Sequence, residues 1–201
     1  YYVAALEFAD SVGVAVVSSS LGDYTFDDDS LSYTQADLDG HTAFISRAAH
    51  RAAEKGLLLF SSAGNEGNST WEKITFPADT EGILTVGSMT SQKERSRFSS
   101  KGLTADGRIK PDLVALGSGS CVVVGSGEIS YGSGTSFATP ILAGMGICLW
   151  QALPQLSPQE LIDLLRQSGS QAERPDAELG YGLPNLYKAY KKGKKYAKKK
   201  H

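Results

Sequence analysis

Short unbroken apolar runs alternating with helical segments predict an α/β protein, a mainly parallel sheet flanked by helices. Three observations carry this reading. Residues 14–17, 57–63 and 83–88 contain apolar stretches without strict polar alternation, as strands buried on both faces require. Segments of helical spacing lie between and after them. The 201 residues are 41% hydrophobic and include 22 Gly, which fits one sizeable globular domain and not a disordered chain.

Taken in order, residues 1–11 read as a helix, with Val3, Leu6 and Ala9 at helical spacing and Gly13 as the stop. The strand 14–17 follows, then a polar loop through Asp27-Asp28-Asp29 that lacks the alternating ligands of a calcium loop. Asp37 or Asp39 can cap a second helix over 42–55, stopped by Gly56. Strands 57–63 and 83–88 come next. Residues 90–135 are loop-rich, with short strands expected near 113–115 and 121–124. Two helices close the chain. The first covers 136–152; the second starts at Ser157, with Pro158 at its first position, Glu160 completing a capping box and Gly169 as its stop.

The formal net charge of −2 hides an asymmetry. Seven of the 20 basic residues fall in 191–201, which holds no acid, so the body carries 13 basic residues against 22 acidic, a net charge of −9. The basic segment 191–201 reads as a solvated tail or linker. Binding to nucleic acid or to an anionic surface is the alternative, and one short run is a weak sign of it. No nucleic-acid partner is expected. The chain shows neither a signal-peptide pattern nor an apolar run long enough to span a membrane. Cys121 and Cys148 exclude a disulfide scaffold and a cysteine zinc site; reduced, buried thiols are expected, with a single bond between them as the alternative.

In a parallel α/β sheet, ligands bind beyond the carboxyl ends of the strands. Three segments fall there: Ser20-Leu21-Gly22, Gly64-Asn65-Glu66 and the loop before Ser136. Ser136 alone could be a helix cap, and Asn65 alone a turn residue. Together they suggest acyl transfer. A nucleophilic hydroxyl at a helix start, its own N–H and a side-chain amide would supply attack and two oxyanion donors.

The ordered motifs resemble the subtilisin family of serine proteases, the subtilases, over about residues 1–190. Gly134-Thr135-Ser136-Phe137-Ala138-Thr139-Pro140 resembles the family's nucleophile motif, and Ala63-Gly64-Asn65-Glu66-Gly67 its oxyanion-asparagine motif. Ser20-Leu21-Gly22 resembles the strand edge that pairs with substrate. Phe76-Pro77-Ala78, Arg97-Phe98-Ser99-Ser100-Lys101-Gly102 and Lys110-Pro111-Asp112-Leu113-Val114-Ala115 follow in family order. The resemblance implies a three-layer α/β/α fold whose N-terminal strands are missing from this chain, and a cis bond at Phe76–Pro77. It implies Ser136 as nucleophile, Asn65 as oxyanion donor, and a specificity pocket between Ser62, Ala63, Gly64, Glu66 and the Ser20-Leu21-Gly22 wall. Phe137 and Ile141 depart from the family's usual Met and His without touching the chemistry.

The family's Asp and His motifs do not occur here. His41, His50 and His201 are the only histidines. His41 and His50 fall before and within the second helix, downstream of where the family places its base. The resemblance therefore implies a serine endopeptidase acting on polypeptides, with Asp and His supplied by an upstream segment or a cleaved companion fragment; pairing of two copies through their open edges, in a non-native dimer, is the other association expected. This chain alone is expected to be inactive, and an inert or peptide-binding fragment is the alternative. The open edge at 14–17, where the Asp-bearing strand would pair, points the same way. No cofactor is required. Structural calcium occurs in the family, but no ligand set stands out and Asp112 reads as a structural carboxylate. Secretion or cell-surface display is expected from the family alone.

Overall fold

The structure, a computed structural model, describes residues 1–197. Residues 198–201, the end of the basic segment with His201, lie outside them. Four parallel strands form the central sheet in the order β1 (Val16–Ser19), β2 (Leu58–Ser62), β3 (Leu84–Met89) and β4 (Leu113–Leu116). Register pairs Val16 with Leu58, Phe60 with Leu84 and Val86 with Leu113.

Side-chain alternation along β2 assigns the layers. Leu58 and Phe60 point into one cluster with Leu84, Val86, Leu113, Leu142 and Leu161. That layer contains α3 (Thr135–Ala152), α4 (Pro158–Ser168) and α5 (Leu186–Ala197). Leu57 and Leu59 point the other way, onto Leu6 of α1 (Tyr2–Ser11) and Ala49 and Ala52 of α2 (Phe44–Glu54). The result is the expected three-layer α/β/α sandwich, with both faces of β2 and β3 buried. An additional hairpin, β5 (Ser120–Val123) with β6 (Ile129–Gly132), lies between β4 and α3.

Several expectations are corrected. The first strand lies two residues later than 14–17, because residues 14 and 15 are exposed at the sheet edge. Neither Asp37 nor Asp39 caps α2, whose N-cap is Ala43; Asp37 closes a 3₁₀ turn with Thr34, and Asp39 accepts from the N–H groups of His41 and Thr42. Residues 191–197 of the basic segment are not a free tail. They belong to α5, which packs on α4 through a buried Ala189 and Gly193. Cys121 and Cys148 are free but exposed, since Cys121 lies on the outer side of the hairpin and Cys148 on the outward side of α3. The Phe76–Pro77 bond is cis as expected.

The amino ends of β3 and β4 are locked by a buried ion cluster. Asp112 accepts from Lys110 Nζ at 2.8 Å, from the Thr85 N–H at 2.6 Å and from Arg166 Nη2 at 2.6 Å, while Asp112 and Lys110 are 1% and 3% exposed. Burial alone would raise the Asp112 pKa, but Lys110 and Arg166 outweigh it and hold the carboxyl below its usual range. Asp112 thus acts as the structural carboxylate the sequence suggested.

Removing the Asp112 charge leaves Lys110 buried without its counter-ion. Asp112→Asn is expected to cost about 3–5 kcal/mol in urea unfolding. Because the folded-state pKa lies below the unfolded one, this stabilisation is present above about pH 4 and lost as pH falls through the folded value. Urea midpoints of the parent should decline on acidification below about pH 4, and those of Asp112→Asn should decline less.

Candidate active site

Three loops at the carboxyl ends of the sheet converge on the start of α3. Residues 20–22 leave β1, residues 63–67 leave β2, and residues 133–136 enter α3 from the hairpin. β1 and β2 are in register through Ser19 and Ser61, so the first two loops emerge side by side.

Ser136 is the second residue of α3 and is half-buried. Gly134, not Ser136, takes the N-cap position. The serine N–H therefore belongs to the first turn, where amides have no intrahelical acceptor and the helix dipole is positive. Pro140 sits inside the helix and has no N–H to offer the Ser136 carbonyl four residues back. That carbonyl instead accepts from the Ser20 hydroxyl at 3.1 Å, tying the strand-edge loop to the serine.

Asn65 is held from the other side. Its Oδ1 accepts from the Thr135 N–H at 2.9 Å and from the Thr135 hydroxyl at 3.1 Å. Two donors on one amide oxygen fix which end of the side chain faces the helix, so Nδ2 is left for the cleft. Asn65 itself is exposed.

The loop that carries Asn65 is braced from behind. Ser100 donates its N–H to the Gly64 carbonyl at 3.0 Å, and its hydroxyl accepts from the Glu66 N–H at 2.9 Å. Thr75 donates its N–H to the Ala63 carbonyl. Gly64 has φ +105°, and a β-carbon there would fall within 3 Å of Ser100 Oγ and of Thr75. Only glycine fits that backbone without strain.

Ser62 and Ala63 are buried, Gly64 and Glu66 half-buried, and Ser20, Leu21 and Gly22 exposed. The Glu66 carboxylate accepts from the Tyr24 hydroxyl at 3.3 Å, and Tyr24 stacks on Trp71 with ring centroids 4.0 Å apart. Burial first, then the Glu66 charge, raise the Tyr24 pKa. Sequence reading missed Thr135, Thr75 and Ser100 as supports. Ser100 stood inside a quoted motif, but nothing local shows that it reaches back to Gly64.

The structure does not bring a described histidine to this cleft. His41 and His50 contact each other edge-on at 5.5 Å; His50 also lies 3.7 Å from Glu54 and 3.4 Å from the Glu81 carbonyl, near the amino end of β3. Among the described residues no group of three or more His, Cys, Asp or Glu could hold a metal ion.

Comparison with known proteins gives one consistent answer. A family model described as the subtilase family matches residues 2–182. The serine protease AprX of Bacillus subtilis is 30% identical over 198 residues, covering 88% of this chain and 41% of AprX. The C5a peptidase of Streptococcus pyogenes is 34% identical over 169 residues, covering 81% of this chain and 13% of that protein. The chain thus spans less than half the length of these relatives. Among solved structures, the self-cleaved protease domain of PatA superposes with a TM-score of 0.77 at 25% identity, covering 96% of this chain and 67% of that one.

Gly64→Ala is expected to cost about 1–3 kcal/mol from left-handed strain and the approach to Ser100. Thermal unfolding measures it, and an unchanged midpoint would contradict the bracing described here.

Proposed function

The chain belongs to the subtilase family, and from that premise we propose that it is the nucleophile-bearing part of a serine endopeptidase acting on polypeptides through an acyl-enzyme. The observation that carries this reading is the clamp of Asn65 onto Thr135, beside the first-turn N–H of Ser136.

In this reading an extended substrate lies along Ser20-Leu21-Gly22, beyond the open edge of β1, and pairs with it by backbone hydrogen bonds. Its side chain before the scissile bond enters the pocket between that wall and Ser62, Ala63, Gly64 and Glu66. Ser136 Oγ attacks the scissile carbonyl carbon and gives its proton to a base. The carbonyl electron pair moves onto oxygen, where the Ser136 N–H and Asn65 Nδ2 receive the charge. Collapse expels the amine, which takes the proton, and water then releases the acyl group by the same steps. No cofactor enters this chemistry.

The base and its carboxylate come, in this proposal, from a companion segment bearing His and Asp. Two surfaces support a companion. Among the described residues β1 pairs on one side only. α3 is apolar nearly all round, yet Ile141, Gly144, Ile147 and Cys148 are exposed on its outward side. A helix that is apolar all round normally lies within a core. A segment seated across β1 and this stripe would close the edge and bring the base to Ser136. Without it the chain is inactive.

Fluorophosphonate labelling tests the proposal. Ser136 should react when the chain is refolded with the upstream segment of its parent polypeptide, and not when the chain is alone. In the assembled protein Asn65→Asp keeps the acceptor for Thr135 but loses the donor. In subtilisin itself, loss of this donor lowers kcat by roughly 10²–10³, and a similar drop with an unchanged melting temperature is expected. No labelling of any assembly would leave the inert fragment as the better reading.

A further inference from the structure

The lysines of α5 are arranged in a way that neither the fold nor the proposed chemistry uses. Lys188, Lys191, Lys192, Lys194 and Lys195 are all exposed, and the twelve residues of the helix include no acid. At about 100° per residue the five fall within an arc of about 160°. The opposite side holds Leu186, Ala189, Tyr190 and Gly193, which pack inward. Among the described residues none of the five is in an ion pair.

The face has a shape as well as a charge. A hollow of about 350 Å³ lies among Asn185, Tyr187, Lys188, Lys191, Lys192 and Lys195. Tyr187 is 65% exposed, and Lys191 Nζ stands 4.3 Å over its ring. Tyr196, 46% exposed, lies at the other margin. On that flank Glu160 and Asp163 of α4 share a second hollow with Lys192, so the cationic face is bounded there. The rest of the molecule repels anions: residues 1–187 hold 12 of the 20 Lys and Arg and all 22 Asp and Glu.

We propose that the α5 lysine face docks on an anionic phospholipid surface. A lysine-rich face that carries Tyr187 and is flanked by Tyr196 matches a layer of phosphate headgroups: lysine acts there as a point charge, and tyrosine places its ring and hydroxyl across an apolar–polar boundary. Nucleic acid fits less well. The helix has no arginine to fork onto phosphates or base edges, and Lys191 already stands over the ring of Tyr187. Docking would hold the acidic body away from the surface. Gly193 packs beside Leu153, past the end of the 18-residue α3 that begins at the Ser136 cleft. The length of α3 thus separates the cleft from the α5 end of the molecule by roughly 25 Å.

Co-sedimentation of the full chain tests this, with vesicles of phosphatidylcholine alone and of phosphatidylcholine mixed with phosphatidylglycerol. Binding is expected to the mixed vesicles only and to fall as salt rises. Each Lys→Gln substitution among the five should lower the partition coefficient by about fivefold. Changing all five to Gln should abolish binding, whereas five Lys→Arg changes should retain it. Circular dichroism of both variants reports on folding. Equal binding to neutral vesicles, no binding to the mixed ones, or indifference of a folded Gln variant would overturn the proposal. Tighter binding to a single-stranded oligonucleotide than to the mixed vesicles would overturn it in favour of nucleic acid.

Discussion

The packing of α3 against the sheet governs the rest of the molecule. This helix contacts all four strands, and Leu142 and Leu149 are buried in the same cluster as Phe60 and Leu84. Each such side chain contributes about 1.5–3 kcal/mol on burial. Its depth is set by Gly146, where a β-carbon would come 2.5 Å from the Phe60 ring. A rigid rod fixed at that depth has a fixed start. The position of Ser136 at the carboxyl ends of the strands therefore follows from core packing and not from any contact of its own side chain.

Local chemistry then refines what packing has placed. Pro140 leaves the Ser136 carbonyl without its helical donor, and the Ser20 hydroxyl takes that role. Thr135 offers two donors to Asn65, so the amide must turn its oxygen inward and its nitrogen outward. In each case a residue adjacent to the functional group, with no evident chemistry of its own, decides which atoms face the cleft. Ser100 and Thr75 play the same part for the loop behind Asn65.

Legibility of the sequence followed burial. The strands at 57–63 and 83–88 were readable to within about a residue because both faces are covered, which demands unbroken apolar runs. β1 was misplaced because an edge strand tolerates Ser18 and Ser19. β6 was not anticipated, since Ile129 and Tyr131 face outward and make no core signal. α5 gives little sequence signal, because its inward side uses Leu186, Ala189, Tyr190 and Gly193, a stripe of mostly small or amphipathic residues hidden among lysines. At the cleft, Ser136 and Asn65 stood out through their motifs. The hydrogen bonds that hold them are not legible: Thr135 lies 70 positions from Asn65, and Ser20 lies 116 positions from Ser136. Only the folded chain brings such pairs together.

The two ends of the sheet are built on opposite electrostatic terms. The amino ends carry full charges: the buried Asp112 carboxylate pairs with the buried Lys110 and the partly exposed Arg166. The carboxyl ends present the neutral Ser136 N–H and Asn65 amide to the cleft, with the Glu66 carboxylate at one side bonded to Tyr24. That contrast bears on why a catalytic apparatus could be divided between pieces of chain. Oxyanion donors must be held to within a few tenths of an ångström, so they belong with the nucleophile on one rigid core. α3, β2 and their loops already fix Ser136 and Asn65 relative to one another, while among the described residues the β1 edge and the outward side of α3 are left open.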